Sequence, residues 1–178
     1  MKPWKHFKTI THHRMLVMVY CFRVGLIWQG LVHDLSKYSP TEFLPGARYY
    51  QGNRSPNSVE REQNGCSQAW IHHKGRNRHH FEYWNDMNIQ TRRYESIEMP
   101  RRYFAEMIMD RIAASKVYKG KYYTDASPLE YLQASWEAPL HHPENLRRLT
   151  LMLTMLKEKG EKETFRFIRK VVLKGKPF

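Results

Sequence analysis

Residues 100–120 read PRRYFAEMIMDRIAASKVYKG, and this stretch decides the fold class. Pro100 suits the opening of a helix, where its missing N–H would be unpaired anyway, and Gly120 suits a helix end. Between them Tyr103, Met107, Asp110, Ala114 and Val117 fall at i, i+4, i+7, i+11 and i+14, which is one stripe of an α-helix. The same period extends outward in both directions. His13, Val17, Tyr20 and Val24 share a face of a helix predicted over Thr9–Val24, and a second short helix is expected to carry Leu31–Lys37. Ser39-Pro40-Thr41-Glu42 has the form of a capping box, so a third helix starts there. Ser127-Pro128-Leu129-Glu130 repeats that signal, and Asn57 with Glu60 gives a weaker version. Helical pattern leads into Ala69–His73, turns at Gly75–Asn77 and resumes over His79–Trp84. Pro143 opens a helix that runs to Gly160, and Thr164–Leu173 forms the last one. No stretch alternates in the manner of a strand, so the reading is all-α. Pro45–Pro56 lacks any period and reads as a long surface loop, a kind that often carries function.

The chain of 178 residues shows no internal repeat, low-complexity run or linker, which predicts a single domain. Within it, residues of about 9–120 would form the core and about 121–178 a helical extension. Thirty Lys+Arg against seventeen Asp+Glu leave a formal charge of +13, which points to an anionic partner. Two cysteines, Cys21 and Cys66, exclude a disulfide scaffold. The apolar run Met15–Phe22 is too short to span a bilayer and ends at Arg23 without a small-residue cleavage pattern. The expectation is a cytoplasmic protein with no membrane partner.

Chemistry enters where polar residues interrupt these apolar stripes. Asp110 sits in the middle of one, and a buried carboxylate must pair, protonate or hold a metal. His33-Asp34 follows Gly30-Leu31-Val32 on a segment that should be core. His13 lies on its own stripe, and His12 competes with it through Leu16 and Val19. His72-His73 and His79-His80 flank the turn from Lys74 to Arg78. Together these are nitrogen and oxygen donors with no thiolate pair. Such a set suits one or two divalent ions of the Mn, Fe, Co, Mg or Zn type.

The ordered series of His, His-Asp, His, His and Asp on successive helices resembles the HD-domain superfamily of metal-dependent phosphohydrolases, which are all-α. The segments His33-Asp34-Leu35-Ser36-Lys37, His73–His80 and Glu106–Arg111 look like an HD-like family of bacteria and phages. That resemblance implies an HD-like bundle around a central metal site. It implies His13, His33, Asp34 and Asp110 as ligands of one metal, with His73 and either His79 or His80 serving a second. Asp34, along with a hydroxide, would then bridge the two ions.

Lys37, one turn beyond His33, is a candidate to hold a phosphate as a point charge, and Arg76 offers a bidentate fork. Glu42 is accounted for by its capping position, and His141-His142 by a helix start. Four readings follow. The first is a phosphohydrolase acting on a nucleotide or another phosphorylated small molecule. The others are a di-iron oxygenase on the same scaffold, a non-enzymatic nucleic-acid binder, and an HD domain kept only as an interaction module.

Overall fold

The computed structural model describes every residue except residue 136. Its eight α-helices are α1 (Pro3–Val24), α2 (Ile27–Val32), α3 (Pro40–Arg48), α4 (Pro56–Asn64), α5 (Gln68–Lys74), α6 (Arg101–Lys119), α7 (Ser127–Ala134) and α8 (Pro143–Lys170). Strands β1 (Asn85–Asn88) and β2 (Arg93–Ser96) pair antiparallel, with Asn85 opposite Ser96 and Asn88 opposite Arg93. The molecule is therefore mostly helical but not purely so. The helical content agrees with the all-α reading; the one hairpin adds to it, and its strands are four residues long and largely exposed, so they carry no apolar alternation that could be read. Among the described residues no helix is long and apolar enough to cross a membrane.

Helix α6 is the axis of the core. Phe104 to Met109 are buried without interruption, and Ile112 and Ala113 continue the run. Val17, Tyr20, Cys21 and Val24 of α1 belong to the same cluster. So do Leu129 and Leu132 of α7 and Leu149, Met152, Leu153, Leu156, Phe165 and Ile168 of α8. Side chains of α7 and α8 thus share one apolar cluster with α1 and α6.

Four local departures from the sequence reading shape the site. Helix α1 starts at Pro3, six residues before Thr9, because buried His6 and Ile10 carry its inner stripe back from His13. It closes at Gly25, whose φ of 90° lets its N–H reach the carbonyls of Cys21 and Phe22. Helix α2 stops at Val32, and the chain does not run helically to Lys37. His33 is extended and Asp34 is left-handed (φ 53°), after which Leu35–Tyr38 makes a 3-10 turn. Helix α3 continues through Pro45 to Arg48, which shortens the proposed loop to the residues between α3 and α4. Gly46 is needed there for close approach, since a Cβ would stand 2.2 Å from His6 Nε2. Finally, His79–Trp84 contains only a 3-10 turn over Phe81–Tyr83, which leaves His79 and His80 on irregular backbone.

Helix α8 breaks at Gly160 (φ 72°, ψ 176°), in agreement with two helical segments read on either side of that residue.

Candidate metal centre

Five stretches of chain deliver side chains to one region. His13 comes from the inner face of α1, His33 and Asp34 from the break after α2, and His73 from the last turn of α5. His79 and His80 follow the next turn, and Asp110 comes from α6. The interruption at His33-Asp34 is what makes this possible. Adjacent residues of a continuous helix point about 100° apart, whereas here both side chains are buried facing inward. Asp and Asn are the side chains that tolerate a left-handed conformation best after Gly.

Asp34 lies between two sets of imidazoles. Its Oδ2 is 3.4 Å from His33 Nε2 and 3.7 Å from His13 Nε2, and its Oδ1 is 3.3 Å from His73 Nε2 and 3.4 Å from His79 Nε2. Asp110 Oδ1 closes the first set at 2.9 Å from His13 Nε2 and 3.6 Å from His33 Nε2. The Nε2 atoms of His33, His73, His79 and His80 and Oδ1 of Asp34 are buried without any hydrogen-bond partner, whereas Asp34 Oδ2 faces the Lys37 ammonium and His13 Nε2 faces Asp110. Leaving that many polar atoms unsatisfied costs far more than ordinary cores tolerate, unless something else binds them. Two groups of four can place one donor atom each within 4.8 Å of one another: His13, His33, Asp34 and Asp110, and Asp34, His73, His79 and His80. Asp34 is common to both. His13 is buried and His12 exposed, so the inner position of α1 belongs to His13.

The outer nitrogens are held by two glutamates. Glu106 accepts from His33 Nδ1 at 3.0 Å and stands 3.2 Å from His79 Nδ1, and Glu42 accepts from His73 Nδ1 and His72 Nδ1, each at 2.7 Å. A carboxylate at Nδ1 keeps the proton there and turns the Nε2 lone pair toward the centre, the usual support for a metal-bound imidazole. Asn77 adds a brace, donating to the His73 carbonyl at 2.8 Å and to Ser36 Oγ at 2.9 Å.

Burial pushes the Glu106 and Glu42 carboxyls up, but their histidine partners outweigh it and hold both below the usual range. Asp34 behaves likewise: burial raises its carboxyl, and His33, Lys37 and His73 bring it well below the ordinary value. Burial and the neighbouring His79 and His73 push His80 well down, so it is a neutral imidazole, the form that binds metal.

Glu42 and Glu106 were not among the expected site residues. The spacing of Ser39 to Glu42 looked sufficient for a cap, yet Ser39 makes no side-chain capping bond and Glu42 turns to the histidines. Glu106 carried a usable signal. It lies one turn before Asp110, inside the apolar run from Phe104 to Met109.

Lys37 and Arg76 diverge. The Lys37 ammonium is 2.5 Å from Asp34 Oδ2, and its side chain keeps 25% of its exposure; that of Asp110 keeps 15%. His13, His33, Asp34, His73 and His79 keep 7% or less, so the centre meets solvent at Lys37 and Asp110. The half-buried phenol of Tyr118 stands close enough to feel both charges. Arg76 does not join this mouth. Its guanidinium donates to the His72 carbonyl at 3.4 Å and lines a cavity on the Glu106 side of His33 and His79. His142 caps α8 by accepting from the Glu144 N–H, whereas His141 is buried against Phe81. Cys21 is buried and Cys66 exposed, both free thiols.

Residues 2–155 match the model of a family described as Family of unknown function (DUF5662). The chain belongs to that family. The DUF5662 match contains every donor of the centre and both supporting glutamates, and it ends within α8. No curated protein matches the chain, and no solved structure does. Beyond the DUF5662 segment the second part of α8 forms a basic groove of about 870 Å³. Arg23, Lys162, Arg166, Arg169, Lys170, Lys174 and Lys176 surround Phe165 there. Seven of the thirty Lys and Arg residues gather there.

Proposed function

We propose that the chain is a metal-dependent phosphohydrolase that cleaves a phosphate ester of a nucleotide or another small molecule with activated water. One observation carries the reading: buried nitrogens and oxygens, several of them partnerless, converge in two groups that share Asp34. The donors are imidazole and carboxylate, which suits one or two ions of the Mn, Fe, Co, Mg or Zn type. Ions held there would acidify a bound water and polarise the phosphoryl oxygen. On this reading His13, His33, Asp34 and Asp110 hold one ion, and His73, His79 and His80 with Asp34 hold the other. The likeness of the His33–Lys37 segment to HD-domain phosphohydrolases supports the same chemistry.

The protein's own groups divide the remaining work. Asp34 joins the two sets, Glu106 and Glu42 keep the imidazoles in the ligating tautomer, and Lys37 receives the phosphate at the solvent side.

Protein purified without chelator should contain one or two such ions per chain and should turn over phosphomonoesters or phosphodiesters in a screen with Mn, Fe, Co and Mg. Lys37→Ala should keep the metal and lose about a hundredfold in kcat, as when one group stabilising transition-state charge is removed. Iron in the protein, oxygen consumption and no phosphoesterase turnover would replace this reading with the di-iron oxygenase. The basic groove around Phe165 favours a second reading, nucleic-acid binding, which predicts affinity falling steeply with salt in proportion to the phosphates neutralised. Tight binding with that slope and no turnover would support it.

A further inference from the structure

Behind His33 and His79, on the side where their Nδ1 atoms meet Glu106, lies a cavity of about 490 Å³ that the hydrolytic reading does not use. Arg76, Arg78 and Arg102 line it together with Trp28 and Tyr103. Its size falls within the range of small-molecule sites.

The charge balance of this cavity is unusual. Among the described residues none of the three guanidinium groups has a carboxylate partner. Arg76 reaches a backbone carbonyl, Arg78 donates to the Tyr103 hydroxyl at 3.3 Å, and Arg102 pairs with the Gln29 amide oxygen. The one carboxylate in the lining, Glu106, is already engaged by two imidazoles. Three planar cations facing neutral partners form a site for an anion with several oxygens, because the guanidinium fork matches phosphate geometry. The indole of Trp28, 68% exposed at the rim, offers an apolar face, and Tyr103 adds a second ring. Flat aromatic surfaces next to a cationic wall accept a base next to its phosphates.

We propose that this cavity binds a nucleoside di- or triphosphate, with the phosphates on Arg76, Arg78 and Arg102 and the base against Trp28. The site backs onto the candidate metal centre, with His33 and His79 as the wall between them. The metal-facing Nε2 atoms of His33 and His79 point away from it, and neither Asp34, Asp110 nor Lys37 belongs to its wall.

ATP, GTP and inorganic pyrophosphate, titrated against the full chain with chelator present, test this without turnover. A nucleotide should bind in the micromolar range or tighter. An Arg78→Ala, Arg102→Ala double variant should weaken it at least about tenfold, the loss expected when charge-assisted hydrogen bonds are removed. Both positions are exposed, so the variant should fold, as an unchanged thermal melt would verify. Trp28→Ala should weaken the nucleotides but not pyrophosphate, and Lys37→Ala should change none of them. Three outcomes would overturn the proposal: no binding up to about 1 mM, binding untouched by the double arginine variant, or binding lost with Lys37→Ala. Pyrophosphate binding as tightly as the nucleotides, with Trp28→Ala silent, would overturn the assignment of a nucleoside.

Discussion

In an Asp34→Ala variant, metal binding should fall to background for both groups of donors at once. Asp34 is the member that the two groups of four share, and its two oxygens lie within 3.7 Å of four different imidazole nitrogens. The same change should lower stability even with chelator present, because His33, His73 and Lys37 would lose the charge they face in the interior. Removing one partner from a buried charged set typically costs roughly 3–5 kcal/mol. Asp34→Asn separates the two effects. Asn also accepts the left-handed backbone, so it should lose the metal with a smaller loss of stability. Metal content per chain, measured alongside denaturant melts with chelator, decides the matter. Wild-type metal content in Asp34→Ala would refute the centre.

Glu106→Ala should be the next most damaging change, although Glu106 contacts no ion in the proposed arrangement. It supports one imidazole from each group, His33 through 3.0 Å and His79 through 3.2 Å. Loss of such an outer partner usually lowers metal affinity about 10–100-fold. Here the loss should fall on both ions. Glu42→Ala should affect only the ion near His73, and Asp110→Ala chiefly the one near His13. Competition titration against a chelating dye resolves these patterns. Glu106→Gln keeps an acceptor oxygen and should recover part of the affinity. If Glu106→Ala weakened one ion only, or neither, the supporting role would fail.

The helices were legible because apolar period and punctuation agree. Pro100 with Gly120, Pro143, and the break at Gly160 all mark real boundaries. The donors were legible for the opposite reason, since His13 and Asp110 interrupt stripes that burial otherwise reserves for carbon. What escaped was local geometry set by distant packing. Nothing in Leu31–Lys37 announces a left-handed Asp34, because that conformation depends on tertiary surroundings more than on propensity. The four-residue hairpin is too short and too exposed to carry a pattern. The outward turn of Arg76 follows from the course of the chain after α5, a matter of tertiary placement. Glu42 was misread because one spacing serves both a cap and an inward-facing acid.

The spread of the donors along the chain has a consequence during synthesis. Asp34, His73, His79 and His80 have all been translated once residue 80 is added, whereas the other group waits for Asp110. Glu106, the support shared by His33 and His79, also arrives in that later interval. At about 5–20 residues per second the gap of thirty residues lasts roughly 2–6 s. During it the emerging chain offers one set of donors without its anchor, and the other only as separated pieces. On the proposed reading, stable loading would await the docking of α6, and a nascent chain halted before Asp110 should hold an ion only weakly.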